Sequence, residues 1–582
     1  MKKYFSTIYR LWTILSPFHG RFYFQLFLIF VAQLVIVGHA YINSSLITSL
    51  SHKDVQAVTL FFVIWVVLSI FDSFVLEYVS RSNREKHLDQ NVYQYLQEFS
   101  LKRLLSLTVE QHIEEHSAIK LTVIAQGENA TNNILIRILN EVIPIIVLII
   151  MTIVMLFFQD TSIALLSIVF MVIIFAWNYI FNVGHYPYVT KNRDNWNQQQ
   201  KRRTEAFTHL SLVKFLNRSE YFVKSFLEAR RSIVAHHILT RMRSIKNSVA
   251  LLTFQDISSF TTLGLTTYLF FAGAFELGTI YLIWNLSNRV YYQMGQLSNT
   301  MREIPQMYAD AEKYLNVIDM EPLFNEGGKH VEKLSGDIIF SHVTFSYPKG
   351  NHPVFEDISF TIPEGKTTAF VGSSGSGKST IVKLLLRAYD YPSGSIIVGN
   401  DELKSINAGA IRERMGYVEQ HVDLFDDSIK ENIIIGVPEN KRKEAEEQLE
   451  EIAKKTRITE FYHRLGEKRF DTVVGERGIK LSGGERQRIG IARAMIKDPD
   501  ILIFDEATSS LDTENEKYVM EAINEVSKGK TTIIIAHRLS TIVNADKIIV
   551  MDKGKMIAEG THDELMQNSL QYKTLIEHQV IS

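Results

Sequence analysis

The sequence predicts a multi-domain membrane protein in which an all-α transmembrane domain of six spans precedes a soluble α/β domain. Three observations predict this fold class. Apolar runs of spanning length fill the first half, strand-like and helix-like segments alternate from residue 337 onward, and the glycine-rich pattern G-x-x-x-x-G-K-[ST] joins one such strand to a helix. We expect residues 1–320 to form the membrane domain, 321–335 a linker and 336–582 the α/β domain.

The composition of the 582 residues excludes several classes of protein. A chain that is 46% apolar and 22% charged is too apolar to be disordered. Its net charge of -2 provides no global basic field, so we expect no nucleic-acid partner. Because the chain has no cysteine, disulfides, thiolate catalysis and cysteine-based metal sites are excluded.

Six segments are predicted to cross the bilayer. A helix needs about 20 mostly apolar residues to cross about 30 Å of hydrocarbon, because lipid cannot satisfy backbone hydrogen-bonding groups. The segments that meet this requirement are 22–41, 58–78, 142–158, 163–181, 249–272 and 278–294. The amphipathic start of the chain is expected to be an interfacial helix on the lipid bilayer that precedes an uncleaved first span.

Basic residues predict the orientation of these spans, because Lys and Arg accumulate in cytoplasmic loops. The short loops 51–56, 159–162 and 275–278 carry only Lys53, whereas the long connections 79–141 and 182–248 are rich in Lys and Arg. We therefore expect both termini, both long loops and the α/β domain to be cytoplasmic, in a plasma or inner membrane. The long connections contain little proline or glycine, which predicts helices that continue well beyond the bilayer.

The sixth span is the most polar of the six. Its polar side chains recur at steps of three and four residues, which places them on one helix face. They are Tyr281, Asn285, Asn288, Arg289, Tyr292 and Gln296. This face is either one wall of a substrate cavity or a surface for hydrogen bonds between helices, and the spacing alone leaves both interpretations open.

The α/β domain carries a phosphate-binding loop between the strand-like TTAFVG and a helical segment. Glycines allow such a loop to turn its backbone N–H groups toward phosphate oxygens at a helix N-terminus. Within the loop, Lys378 is expected to neutralise the β- and γ-phosphates and Ser379 to ligate Mg²⁺. The loop consists of Gly372, Ser373, Ser374, Gly375, Ser376, Gly377, Lys378, Ser379 and Thr380.

A second motif, ILIFDE, places two carboxylates at the end of a buried strand. Asp505 is expected to hold Mg²⁺ through water, and Glu506 to orient or deprotonate the water that attacks the nucleotide. The alternative, a carboxylate that only caps the next helix, is the weaker interpretation beside a phosphate loop.

The segments LSGGERQR from Leu481, FDEATSSLD from Phe504 and AHRLS from Ala536 resemble the signature, Walker B, D-loop and switch segments of ATP-binding cassette (ABC) transporters. Six spans with two long cytoplasmic loops before one such cassette are similar to the layout of an exporter-type half-transporter. The resemblance implies the type IV exporter fold, with an α/β P-loop NTPase domain that binds ATP and Mg²⁺.

The resemblance also implies roles for individual residues. Tyr347 corresponds to the aromatic residue that stacks on adenine, and Gln420 to the residue that contacts Mg²⁺ and senses the γ-phosphate. His537 corresponds to the switch histidine that holds the γ-phosphate. The signature and D-loop residues, of which Ser482 and Gly484 would bind the γ-phosphate of ATP held by another cassette, are Ser482, Gly483, Gly484, Glu485 and Asp512.

Such a signature completes the ATP site of another cassette, so the resemblance implies a dimer with a second half-transporter. An intact Glu506 and LSGGE favour a homodimer, and a heterodimer stays open. The favoured function is ATP-driven export of an amphipathic drug, lipid or peptide. The alternatives are an exporter-fold importer of a siderophore-like compound, and an ATP-gated channel or regulatory subunit.

Overall fold

The computed structural model describes residues 2–114, 117–348, 350, 352–461, 466–508, 511, 513–536, 538 and 542–581. The chain divides into two compact units. The first comprises Met1–Leu105 and His116–Met320, and the second comprises Ser106–Glu115 and Glu321–Ser582. The short segment Ser106–Glu115 therefore groups with the second unit, although the expected boundaries place it inside the first domain.

The described part of the first unit is helical. Short π-helical turns at Phe71–Glu77, Glu85–Asp89 and Ile138–Val142 join some of its helices end to end. Its helices are α1 Lys2–Ile14, α2 His19–Ser51, α3 Val55–Ile70, α4 Tyr78–Arg84, α5 Gln90–Leu105, α7 Ser117–Arg137, α8 Ile143–Gln159, α9 Thr161–Thr208, α10 Leu210–Phe215, α11 Ser219–Phe271 and α12 Leu277–Ile318. The helix α6 Val109–Glu114 belongs to the second unit.

Helices longer than the thickness of a bilayer are observed, as the sequence predicts. The 48 residues of α9 and the 53 residues of α11 correspond to lengths of about 72 and 80 Å. Four described helical stretches are long and apolar enough to cross a membrane: Ser16–Ser51, Val55–Leu105, Lys120–Gln159 and Thr161–His185. The fifth and sixth predicted spans lie in α11 and α12, whose composition is more polar.

Hydroxyl side chains account for the polarity of the fifth span. Ser258, Thr262 and Thr266 follow one another at four-residue steps on α11 and are buried. Each hydroxyl donates a hydrogen bond to the carbonyl oxygen four residues earlier, at 2.6, 2.8 and 2.5 Å respectively. The helix thus satisfies these hydroxyls largely by itself, and the hydroxyl of Thr262 also lies 3.3 Å from the hydroxyl of Tyr291 on α12.

The second unit contains the α/β domain. Its strands are β1 Ile338–Phe345, β2 Phe355–Ile362, β3 Thr367–Gly372, β4 Ser393–Val398, β5 Asp401–Glu402, β6 Met415–Val418, β7 Ile501–Asp505, β8 Thr531–Ile535, β9 Lys547–Asp552 and β10 Lys555–Gly560. After α6, its helices are α13 Lys378–Leu385, α14 Ala408–Arg414, α15 Ile429–Ile434, α16 Arg442–Lys455, α17 Gly483–Met495, α18 Thr513–Ser527, α19 His562–Asn568 and α20 Leu570–Ile581.

The described strands form two sheets. Four antiparallel strands have the order β2-β1-β4-β5, and six strands have the order β10-β9-β3-β8-β7-β6. In the second sheet β9, β3, β8, β7 and β6 run parallel, and β10 pairs antiparallel with β9. Every residue of β7 and β8 is buried, which is typical of parallel strands covered on both faces.

Candidate functional site

The candidate site lies at the carboxyl edge of the parallel sheet. The strands β3, β8, β7 and β6 are neighbours in that order, so the loops after them emerge side by side. In open α/β sheets this edge is where ligands bind. The phosphate loop follows β3, Asp505 is the last residue of β7 and Glu506 follows it, and Gln420 follows β6 by two residues.

Glycines shape the phosphate loop. Gly375 and Gly377 have φ values of +79° and +102°, a region that side chains with a Cβ rarely adopt. A Cβ on Gly377 would lie 2.3 Å from the ring of Phe355, and a Cβ on Gly372 would lie 2.0 Å from the carbonyl oxygen of Met551. Glycine therefore avoids a clash at positions 372 and 377, and at position 375 it avoids backbone strain.

Lys378 begins α13 and folds over its own loop. Its Nζ donates hydrogen bonds of 2.9 Å to the carbonyl oxygens of Gly372 and Ser373. The side chain is buried, and burial lowers its pKa, an effect that the nearby carboxylates of Glu506 and Asp505 oppose. The ammonium group is thus bonded to the backbone of its own loop.

Asp505 lies next to the first turn of α13. The hydroxyl of Ser379 donates a hydrogen bond of 3.2 Å to Oδ1 of Asp505. Burial raises the pKa of Asp505, and the hydrogen bond from Ser379 opposes this rise. Two oxygen ligands suited to Mg²⁺ are thus brought together from residues 126 positions apart.

Glu506 has a backbone conformation that is rare for a residue with a side chain. Its φ is +50°, which costs about 1 to 3 kcal/mol. Its backbone N–H donates to the carbonyl oxygen of Ile535 at 3.1 Å, and its Oε2 accepts a hydrogen bond of 2.7 Å from Nε2 of Gln420. The structure thus joins the carboxylate of Glu506, after β7, to the amide of Gln420, after β6. The sequence shows only that each residue follows a strand.

Tyr347 is held by a cage of side chains. Its hydroxyl lies 3.0 Å from the hydroxyl of Thr380 and accepts a hydrogen bond of 3.4 Å from Nζ of Lys383. The rings of Phe345 and Tyr389 make T-shaped contacts with it, each at 5.1 Å between centroids. The ring is thereby anchored beside the helix that follows the phosphate loop.

Of the side chains in this cage, the sequence motifs identify Thr380 but not Phe345, Lys383 or Tyr389. Lys383 lies one helical turn after Thr380, so helical spacing from the phosphate loop is a signal that could have found it. Tyr389 follows the end of α13, and no local pattern links it to Tyr347.

The signature segment forms the start of α17. Ser482 is its N-cap: Oγ accepts from the backbone N–H of Glu485 at 3.3 Å, and the Glu485 carboxylate accepts from the backbone N–H of Ser482 at 2.7 Å. Both side chains of this capping box thus bond to the helix terminus in this structure. A Cβ on Gly484 would lie 2.7 Å from the Asn515 side chain, and one on Gly483 would lie 3.4 Å from Leu511, so both glycines lie against the region of α18.

Two predicted site residues, Asp512 and His537, lie outside the described residues. Arg538, which follows His537 in sequence, forms an ion pair with Glu516 of α18. It also donates from Nη2 to the carbonyl oxygen of Leu511 at 2.9 Å. The described neighbours of Asp512 and His537 are therefore joined to each other.

Metal ligands in the candidate site are few. Among the described residues, no group of three or more His, Asp or Glu is arranged to hold a metal ion. Ser379 and Asp505 supply two hard oxygen ligands, and Gln420 lies beside them at the same sheet edge. This donor set fits Mg²⁺, because Mg²⁺ in nucleotide sites takes most of its ligands from phosphates and water.

Comparison with known proteins places this site in a recognised domain. Residues 355–509 match the family model described as ABC transporter. The chain is 41% identical over 298 residues to an ATP-dependent lipid A-core flippase of Sodalis glossinidius, a match that covers 51% of this chain and 50% of the flippase. The chain thus spans about half the length of the curated flippases it matches.

Two further comparisons extend over nearly the whole chain. ABC transporter B family member 6 of Dictyostelium discoideum is 29% identical over 597 residues, covering 97% of this chain and 85% of that protein. A solved structure of a bacterial Atm1-family ABC exporter with ATP bound superposes with a TM-score of 0.84 at 24% identity, covering 97% of this chain and 99% of that one. At this identity the likeness shows the fold, and it confirms the predicted fold class of a helical membrane domain followed by an α/β nucleotide-binding domain.

Proposed function

We propose that this chain, which carries an ABC transporter domain at residues 355–509 and has the fold of an ABC exporter, uses ATP hydrolysis to export an amphipathic substrate. One observation carries this proposal. The phosphate loop, the Ser379–Asp505 pair and the Gln420–Glu506 pair lie at one sheet edge of a cassette whose chain also has membrane-length helices. ATP is the expected nucleotide, because the family of this domain binds ATP.

The nucleotide is proposed to lie along the phosphate loop. Backbone N–H groups of residues 373–379 and the N-terminus of α13 would contact the phosphates, where the helix dipole also favours negative charge. Lys378 would exchange its bonds to the Gly372 and Ser373 carbonyls for phosphate oxygens. Tyr347 would stack on the adenine.

Glu506 is proposed to be the catalytic residue that acts on the attacking water. A carboxylate within hydrogen-bond reach of this water would accept its proton as the water oxygen bonds to the γ-phosphorus, while the bond from that phosphorus to the β,γ-bridging oxygen breaks and ADP leaves. Gln420 would keep Glu506 oriented until the nucleotide is bound. Ser379, Asp505 and Gln420 would hold Mg²⁺, which when bound neutralises charge on the phosphates.

A dimer is proposed because the signature residues are expected to complete the ATP site of another cassette. Ser482, Gly483, Gly484 and Glu485 lie at the N-terminus of α17, a helix of 13 residues whose dipole would favour a γ-phosphate there. Asp512 and His537 are proposed to contribute from the D-loop and the switch segment. Two ATP molecules bridging two cassettes would favour one conformation of the dimer over the other, which transport requires.

The proposed location is a plasma or inner membrane, with both termini and the nucleotide-binding domain in the cytoplasm. The basic residues of the two long connections support this orientation. The substrate would be a drug, lipid or peptide that combines apolar and polar groups.

The test is reconstitution of the chain in liposomes, with ATP hydrolysis and transport measured together. We expect ATP hydrolysis that amphipathic compounds stimulate, and ATP-dependent uptake into inside-out vesicles. Uptake only into right-side-out vesicles would instead indicate an importer. A conductance that needs ATP binding but no sustained hydrolysis would indicate a gated channel, and either result would contradict the proposal.

A further inference from the structure

The linker expected at residues 321–335 is bonded to the second unit at several points. Lys329 forms a parallel β-bridge with Ile406. Its backbone N–H donates to the carbonyl oxygen of Ser405 at 2.8 Å, and its carbonyl oxygen accepts from the N–H of Asn407 at 3.0 Å. A flexible tether between domains makes no such strand-like bonds. The linker is therefore part of the folded second unit.

Both ends of the linker are held as well. The carbonyl oxygen of Glu321 accepts a hydrogen bond of 2.9 Å from Nε2 of Gln111, which lies on α6 of the same unit. The backbone N–H of Leu334 donates to Oδ2 of Asp500 at 2.8 Å, and the Leu334 side chain is buried in the core of the α/β domain. A displacement of the linker is thus passed to the domain and is not absorbed by a slack segment.

Arg387 joins the linker to the end of α13. It follows the last turn of that helix and is 5% exposed. Its Nη2 donates to the carbonyl oxygen of Asn325 at 2.9 Å, and its Nη1 donates to that of Ile406 at 2.6 Å. One buried guanidinium thus bonds both to the linker and to the segment that pairs with the linker.

Arg412 of α14 adds a second connection between the linker and α13. Its Nη2 pairs with Oε1 of Glu326 in the linker at 2.8 Å. The same guanidinium donates to the carbonyl oxygens of Leu386 and Arg387, at 3.0 and 2.8 Å. Carbonyl groups at a helix end lack intrahelical partners, so Arg412 satisfies acceptors at the end of α13 while it holds the linker.

The helix α13 connects this attachment to the phosphate loop. It begins at Lys378 and has eight residues, so its two ends are about 12 Å apart. Ile381, Leu384 and Leu385 are fully buried in the domain core. A short helix that is packed in this way moves as one piece, because close-packed interiors transmit strain. Movement of the linker would therefore reach the loop that is proposed to hold the phosphates.

We propose that Glu326, Arg387 and Arg412 are positioning residues of the transport cycle, because they fasten the linker to the helix that carries the phosphate loop. Through them the linker couples α12, which ends at Ile318, to the nucleotide. This inference rests on the proposed export function and adds a path by which nucleotide binding reaches the membrane domain. The coupling is reciprocal: a nucleotide that displaces α13 displaces the linker, and a displacement of α12 alters nucleotide affinity.

The test follows the membrane domain while the nucleotide state is changed. The chain has no cysteine, so His52→Cys in the loop 51–56 provides a single position for a spin label. Double electron–electron resonance on the full chain in liposomes measures the distance between the two labels of the proposed dimer. The two conditions are no nucleotide, and trapping with ATP, Mg²⁺ and vanadate. We expect the labelled parent to hydrolyse ATP and to show different distances in the two conditions.

Two variants of this parent interrupt the proposed path at different points. Insertion of Gly-Ser-Gly between Met320 and Glu321 separates α12 from the linker and leaves the bonds of the linker to the cassette in place. Glu326→Ala removes the ion pair with Arg412. Both variants should still bind and hydrolyse ATP, because the phosphate loop and the residues around it are unchanged. The distance change on trapping should be lost or reduced in both.

Each variant has a matched control. The same insertion between Lys528 and Gly529 lengthens an exposed turn between α18 and β8. Lys329→Ala removes another ion pair of the linker, with Asp401 at 2.9 Å, which does not involve α13. Both controls should keep the full distance change. Melting temperatures identify a variant that has only lost stability, and the other variant then decides the question.

Several outcomes would overturn the inference. A full distance change in the insertion variant would show that coupling does not pass through the linker, while the export function stands. Loss of the change in the insertion variant but not in Glu326→Ala would show that attachment to α13 is not the path. A parent that hydrolyses ATP without a distance change would contradict the coupling itself. If the parent neither hydrolyses ATP nor changes distance, the proposed function fails and this inference fails with it.

Discussion

Nε2 of Gln420 donates a hydrogen bond of 2.7 Å to Oε2 of Glu506, across a separation of 86 residues in sequence. Gln420 follows β6 and Glu506 follows β7, which are adjacent parallel strands. The bond holds a carboxylate whose backbone is already fixed at a positive φ. The proposed catalytic group is thus oriented both by its own backbone and by the next strand.

Replacing Glu506 by Gln should reduce ATP turnover by about 10² or more, the scale expected when a general base is lost. ATP binding should persist, because the phosphate loop is unchanged. Steady-state hydrolysis and equilibrium binding of a fluorescent ATP analogue measure the two quantities separately. The control is Glu447→Gln, which neutralises an exposed carboxylate of α16. Parental hydrolysis by Glu506→Gln would show that the catalytic assignment is wrong.

Replacing Tyr347 by Ala should weaken apparent ATP affinity, because base–aromatic stacking contributes about 1 to 3 kcal/mol in nucleic-acid sites. Tyr347→Phe keeps the ring but loses the contact with Thr380, so it should retain most of the affinity. ATP titrations of hydrolysis rate compare the two variants. If both variants lose the same amount of ATP affinity, the hydroxyl and not the ring is responsible. If neither variant loses ATP affinity, the stacking role is refuted.

Ser482 and Thr561 provide a matched pair of helix caps. Each is the N-cap of a capping box, Ser482 with Glu485 and Thr561 with Glu564. Replacing either by Ala should reduce stability by about 1 kcal/mol, because one helix N–H loses its acceptor. Only Ser482→Ala should also lower ATP hydrolysis, since Ser482 is proposed to contact the γ-phosphate. Thermal unfolding measures the stability of the two variants, and steady-state assays measure their rates of ATP hydrolysis. Equal loss of hydrolysis in both variants would show that Ser482 acts only as a helix cap.

Tyr572 predicts a pH dependence of stability at alkaline pH. Burial raises its pKa from 10.0 to about 12, and its hydroxyl lies 2.7 Å from Nδ1 of His562. Between these two values the unfolded chain loses the phenolic proton first, so the free energy of unfolding falls as pH rises from about 10 to about 12. Tyr572→Phe removes this fall, although at neutral pH it loses a hydrogen bond that contributes about 1 kcal/mol.

The measurement is the melting temperature of parent and Tyr572→Phe from pH 7 to 12. The variant should melt at lower temperature at neutral pH. The two curves should cross between pH 10 and 12, because the linkage loss of the parent, about 1.4 kcal/mol per pKa unit, comes to exceed the hydrogen bond that the variant lacks. A difference that stays constant over the whole range would show that Tyr572 titrates normally in the folded chain.

Local patterns were sufficient to predict the elements that carry the site. The apolar runs TTAFVG and ILIFD form β3 and β7. The strand β3 ends at Gly372, the first glycine of the motif, and α13 begins at its lysine, Lys378. These predictions succeed because backbone hydrogen bonding and glycine conformation depend on neighbouring residues. The long helices α9 and α11 follow from the same kind of local signal.

Close approaches between helices could not be predicted in this way. A Cβ on Gly127 of α7 would lie 2.0 Å from Cβ of Tyr314 on α12, although 187 residues separate them. Gly127 looks in the sequence like any glycine within a helix. Its role depends on which helix packs against it, and local periodicity does not specify that neighbour.

The sequence by itself determined that an all-α membrane domain precedes an ABC cassette, because apolar length and phosphate-loop chemistry are properties of short segments. Only the tertiary structure decided which distant groups meet: Gln420 with Glu506, Ser379 with Asp505, and Tyr347 with Lys383. It also decided that Arg289 is exposed on α12, with no ion pair among the described residues. The physical reason is that these relationships depend on strand order and helix packing, which arise when the whole chain buries its apolar surface.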